Sequence, residues 1–133
     1  MEVKQIIVPV AAMGKPTMTR RDQRLPKRPC VERFHAWADL IRSVAGEYPE
    51  SGKVELLTII SYVEPPKSYS KKKRHEAIGT IKRTKPDTSN ILKGVEDVLW
   101  EDDEKIGRTH VEKYWSSRSR TIITIDYLNG AEP

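Results

Sequence analysis

The sequence predicts an α+β domain, a small mixed β-sheet with helices packed on one face. Three observations predict it. Runs rich in β-branched residues stand near the start, the middle and the end of the chain. Two stretches between them carry apolar residues at helical spacing. The resulting order is strand, helix, strand, helix and then strands, which suits helices segregated to one side of a sheet.

Residues 3–9 read as a first strand, stopped by Pro9. Residues 11–28 hold Gly14, Pro16, Pro26 and six Lys/Arg with no apolar period, which makes them a long basic loop. Loops of that length are more often functional or disordered than structural. Pro29 suits the first turn of a helix. Val31, Phe34, Ala38, Ile41 and Ala45 then continue at helical spacing, Trp37 and Leu40 widen the stripe, and Gly46 and Pro49 end it. Residues 53–63 are apolar on both faces, as in a central strand, and Pro65-Pro66 breaks them. Residues 68–77 form a short helix or loop around Lys71, Lys72, Lys73 and Arg74, and 78–85 a short extended segment.

Pro86 disfavours helix at Lys85, so the next helix begins just after it. Asp87 or Ser89 can cap it. Ile91, Leu92, Val95 and Leu99 form its apolar stripe, and Asn90, Lys93 and Asp97 fall at i, i+3 and i+7 on the opposite face. Residues 109–116 and 120–128 read as a final antiparallel pair joined near Ser117-Arg118-Ser119. The last residues, 129–133, are expected to fray.

A chain of 133 residues fits one domain, 1–133. No apolar run approaches the roughly 18 residues of a membrane span. The start, Met-Glu-Val-Lys-Gln, has no signal-peptide character. Cys30 is the single cysteine, which excludes an internal disulfide framework. A cytoplasmic protein is the simplest expectation. The net charge of +5 is uneven. Residues 1–86 carry 18 Lys+Arg against 9 Asp+Glu, whereas residues 87–133 carry 6 against 10. A basic body with an acidic cluster suits a polyanion-binding surface around a cation site.

Chemistry concentrates between Lys85 and Glu104. A carboxylate before a helix, a lysine on it and the Asp102-Asp103 pair after it suit a hard cation and a phosphodiester. The plainer roles are capping for Asp87, pairing of Lys93 with Asp97 at i+4, and a solvated acidic turn. No phosphate-cradling glycine loop and no serine or cysteine nucleophile with a partner set is present. His35, His75 and His110 lack metal-ligand spacing, and Trp37, Trp100 and Trp115 are expected in a core or subunit interface.

The stretch Lys85-Pro86-Asp87-Thr88-Ser89-Asn90, with Lys93, Asp97 and Asp102-Asp103, resembles the RusA family of Holliday-junction resolvases. The family pattern is Asp-x-Asp-Asn-x-x-Lys, an Asp four residues on, and a later Asp-Asp. Pro9-Val10 and the run from Gly14 to Arg21 look like the family's basic opening loop.

The resemblance implies a homodimeric crossover junction endodeoxyribonuclease of DNA recombination and repair, of phage or prophage origin, that takes Mg²⁺ or Mn²⁺ and cuts four-way DNA in pairs. On that reading Asp87, Asn90, Lys93 and Asp103 are catalytic, and Asp87 and Asp103 bind the metal with Asp97 or Asp102. DNA contacts fall to Lys15, Arg20, Arg21, Arg24, Lys27, Arg28, Lys71, Lys72, Lys73, Arg74 and Lys85. Tyr69, Met13 and Met18 are candidates to wedge at the branch point.

Two departures stand out. Ser89 replaces the family's second aspartate, and the link from the helix to the acidic pair is short. The alternative is a branched-DNA-binding protein that has lost catalysis. An RNA-binding role lacks the usual aromatic stacking motif.

Overall fold

The computed structural model describes residues 2–17, 28–46, 53–101 and 103–127. Four strands and three α-helices follow in the order β1 (Glu2–Val8), α1 (Pro29–Ala45), β2 (Val54–Val63), α2 (Lys71–Ala77), α3 (Thr88–Leu99), β3 (Ile106–Trp115) and β4 (Arg120–Tyr127). A short 3-10 turn, Asp103–Lys105, precedes β3. Among the described residues no helix is long and apolar enough to cross a membrane.

The strands form one mixed sheet in the order β1-β4-β2-β3. β4 runs antiparallel to both β1 and β2, and β2 runs parallel to β3. The expected pairing of the last two strands is therefore corrected: β2 lies between them. Ile59 faces Ile123 on one side and Val111 on the other. The most apolar run takes the centre, where both of its edges and its core face are covered. A parallel β2–β3 pair needs a long crossover, and α2 and α3 supply it. The short link from β3 to β4 then only bridges the end of β2, where Ser116 N–H donates to Val63 O (2.8 Å) and Glu64 N–H to Ser119 Oγ (3.0 Å).

Helix α1 begins with Pro29 and closes at Gly46, whose φ of 59° is a conformation glycine adopts without a Cβ clash. It buries Val31, Phe34, Trp37, Ala38, Ile41 and Ala45, the stripe its periodicity predicts plus Trp37. Helix α3 starts where Pro86 predicts, with Asp87 at the N-cap, and buries Ile91, Gly94, Val95, Val98 and Leu99. The 68–77 segment is a helix, α2, capped by Ser70 Oγ accepting from Lys73 N–H (3.1 Å), and it buries no residue. The extended segment before Pro86 is present as an edge bridge from Ile81 to Tyr114.

Helices α1 and α3 pack on the same side of the sheet. Ile6, Val8, Leu57, Ile59, Ile123 and Ile125 from the strands join Phe34, Trp37, Ile41, Ile91, Val95 and Leu99 from the helices in one core. Trp37 and Trp100 belong to it, as their hydropathy suggests. The opposite sheet face carries Ile7, Ile122 and Ile60 in one row across three strands. Ile7 on that face is 52% exposed and Val3 59%.

Candidate active site

The loop after β1 leaves the sheet through two side-chain contacts. Ala12 N–H donates to Ser61 Oγ (3.0 Å), and Thr121 Oγ1–H donates to Val10 O (2.8 Å). These bonds direct residues 13–15 across α3. There Lys15 N–H meets Asn90 O (3.4 Å), and the Lys15 ammonium pairs with the Asp97 carboxylate. Small residues permit the approach. A Cβ on Gly14 would stand 3.0 Å from Pro86 Cβ and 3.3 Å from Asn90 Nδ2, and one on Gly94 would stand 3.2 Å from Phe34 Cε1 and 3.5 Å from Met13 O. Glycine at both positions lets backbone lie where a side chain would intrude.

Asp87 holds the N-cap position with extended backbone angles, yet its carboxylate makes no capping bond. Its carbonyl accepts the Asn90 and Ile91 N–H groups (3.1 and 3.0 Å), which starts the helical ladder. The carboxylate is left exposed at the head of α3. Ser89, Asn90, Lys93 and Asp97 are also exposed, so the polar face expected from the spacing is present. The apolar stripe on its opposite side is what turns this face outward.

The structure thus gathers Asp87, Asn90, Lys93, Asp97 and Lys15 along one helix. Of the expected metal ligands, the described side chains include Asp87 and Asp97. Asp97, expected near the metal, is engaged by Lys15, itself expected on DNA. Asp103 opens the turn beyond the other end of α3, and twelve helical residues rise about 18 Å. Asp102, Arg20, Arg21, Arg24, Lys27 and Met18 lie outside the described residues, as does the Asp103 side chain. Among the described residues no three His, Cys, Asp or Glu side chains converge as a metal cluster.

The basic helix α2 divides in two. Lys71 and Lys72 are exposed, whereas Lys73 lies 4.0 Å over the Tyr69 ring and Arg74 Nη2–H donates to Pro66 O (3.1 Å). Tyr69 is half-buried and packs on Trp115, with ring centroids 6.2 Å apart. Met13 likewise packs partly buried against the core. Arg28 Nη2–H donates to Thr17 O (2.7 Å), and Lys85 is exposed.

Sequence reasoning missed two residues behind Asp87. Lys82, 6% exposed, donates to Thr84 O (3.1 Å), Thr84 Oγ1 (2.9 Å) and Lys85 O. Lys113 donates to Thr84 O (2.8 Å) and Pro86 O (2.9 Å). Burial, and then the Lys113 charge, hold the Lys82 ammonium below the ordinary lysine range. One signal was legible: Lys113 alternates with Val111 and Trp115, which places it on the helix-covered side of β3.

The family model described as Endodeoxyribonuclease RusA matches residues 8–126, from the end of β1 through nearly all of β4. No curated protein matches the chain.

Proposed function

This chain belongs to the RusA family of endodeoxyribonucleases, and from that membership we propose that it resolves four-way DNA junctions by metal-dependent, paired incision as a homodimer, in recombination and repair. The observation that carries the reading is the Asp87 carboxylate. It stands exposed at the head of α3, unspent on capping, with Asn90 and Lys93 on the same exposed side.

The donor chemistry fits a hard divalent cation. Asp87, the Ser89 hydroxyl and the Asn90 carbonyl offer oxygen, and Mg²⁺ commonly takes one or two carboxylates with substrate phosphate and water. Asp87 would hold it, with Ser89 and Asn90 beside it. When bound, Mg²⁺ or Mn²⁺ supplies Lewis acidity at the scissile phosphate and a more acidic water. Lys93 offsets the negative charge that gathers on the phosphate during attack. Asn90 orients Asp87 or the phosphate through its amide. The Lys15–Asp97 pair holds the opening loop on α3, and Lys71 and Lys72 contact backbone phosphates in a salt-dependent way. The ligand set is centred on Asp87, with Asp103 as the second carboxylate and Asp97 or Asp102 completing the shell.

A second reading, a junction-binding protein without catalysis, is favoured by Ser89, which leaves one carboxylate where the family pattern has two. A labelled four-way junction with Mg²⁺, Mn²⁺ or EDTA separates the two. Metal-dependent nicks in strands of like polarity are expected. Binding that is equal in EDTA, with no cutting in either metal, would favour the silent binder. Restoring the carboxylate with Ser89→Asp is expected to lower the Mg²⁺ concentration for half-maximal cleavage by about tenfold, the lower end of what an altered metal shell does.

The homodimer reading takes the uncovered sheet face as its surface, with a second copy as the occupant. Ile7, Ile122 and Ile60 form an apolar row there, extended by Val3 and Leu56, and Arg108, Glu112 and Asp126 give it a charged margin. A two-fold dimer presents two equivalent sites to a two-fold junction. Ile7→Asp puts a charge on this exposed position without touching the core, and it is expected to weaken dimerisation at least about tenfold in sedimentation equilibrium. An unchanged dimer would move the interface elsewhere.

A further inference from the structure

We propose that Lys82 and Lys113 are positioning residues that latch the segment Thr84–Pro86 and so set the place and direction of the Asp87 carboxylate. This rests on the reading of Asp87 as a metal-binding residue.

The geometry is a shared clamp. Residues 84–86 precede a helix and hold carbonyls that no strand partner receives. The Lys82 ammonium uses its three donors on Thr84 O, Thr84 Oγ1 and Lys85 O, so it is saturated and has nothing left for a phosphate. Lys113 takes Thr84 O from the other side and adds Pro86 O, the carbonyl that adjoins Asp87. Every carbonyl from Thr84 to Pro86 is therefore held by an ammonium group.

The clamp is anchored in the sheet. Lys113 lies on β3 in register with Ser61 of β2, and Lys82 N–H donates to Lys113 O (2.9 Å). The Trp115 ring covers Lys82 at 5.2 Å from its ammonium. A compact, multi-donor ammonium on a flexible stem suits three convergent oxygens, where a planar guanidinium does not. Setting the half-buried Lys113 ammonium beside the buried Lys82 ammonium is costly, and a clamp made only to hold a surface loop would not call for it. One residue beyond this clamp, the Asp87 carbonyl starts the α3 ladder through Asn90 and Ile91. The clamp thus fixes the origin of the helix and the site together.

The test uses the full chain with Lys82→Met and, as the less buried alternative, Lys113→Met, each keeping an aliphatic stem. Two readouts are taken. Amide hydrogen exchange is expected to rise at Asn90 and Ile91 and to stay near the wild-type rate at Ile59 in the sheet centre. The Mn²⁺ concentration for half-maximal junction cleavage is expected to rise about 10–100-fold, as for lost outer-shell support of a metal ligand, with junction affinity in EDTA unchanged. Exchange raised equally at Ile59, or not raised at Asn90 and Ile91, would overturn the latch. A loss of junction affinity with an unchanged Mn²⁺ requirement would instead make these lysines DNA contacts and overturn it as well. If the wild-type protein cleaves no junction, the nuclease reading falls, and the exchange measurement alone decides for or against the latch.

Discussion

Asp87→Asn is expected to reduce junction cleavage by at least about 100-fold, the upper end of what altering a metal ligand's surroundings costs. Junction affinity and thermal stability should stay close to wild type. The substitution preserves shape and removes one negative charge. Asparagine serves an N-cap as well as aspartate, and no capping bond is present to be lost. The backbone carbonyl that starts α3 is also retained. A change confined to catalysis would therefore report on the carboxylate itself. Single-turnover cleavage of a labelled four-way junction in Mn²⁺, alongside binding in EDTA, makes the comparison. A variant that cuts within a few-fold of wild type would remove Asp87 from the metal shell. One that loses binding in EDTA would make it a structural residue.

Leu99→Ala should be the most destabilising of the substitutions considered. Leu99 is wholly buried at the end of α3, in the same core as Ile91 and Val95. Truncating such a leucine typically costs about 2–5 kcal/mol, from lost burial plus the cavity left behind. For a chain of this size that lowers Tm by about 7–18 °C. Because α3 carries Asp87, Asn90 and Lys93, cleavage should fall with the folded fraction as temperature rises, with little change well below the new Tm. Urea unfolding followed by far-UV circular dichroism gives the loss directly. A change under about 1 kcal/mol, the range of a surface substitution, would show that the helix end is not packed in solution as described.

Local features of the chain were legible because they depend on near neighbours. Pro29 and Gly46 bracket α1, and the 3.6-residue stripe from Val31 to Ala45 names its buried face. Pro86 marks where α3 begins, and the alternation from Arg120 to Tyr127 marks β4 and its inward residues. The segment from Lys85 to Lys93, with Asp97, the later Asp102-Asp103 pair and the basic opening loop, suggested the family, which the match over residues 8–126 bears out.

What needed the tertiary structure was long-range. The place of β2 between β3 and β4 follows from which strand gains most by being covered on both edges, and neighbours along the chain do not report that. Lys15 and Asp97 meet across 82 positions, a pairing that no spacing rule reaches. Lys82 read as one more basic residue in a basic chain. Its role appears only when β3 brings Lys113 and Trp115 against it, because a buried ammonium is defined by the oxygens that surround it. The chain's own pattern determined a RusA-type α+β domain with an exposed carboxylate at a helix head. Only the fold decided which ammonium groups bind the backbone carbonyls just before that carboxylate and which stay exposed, since desolvation and hydrogen-bond geometry are properties of the assembled surface.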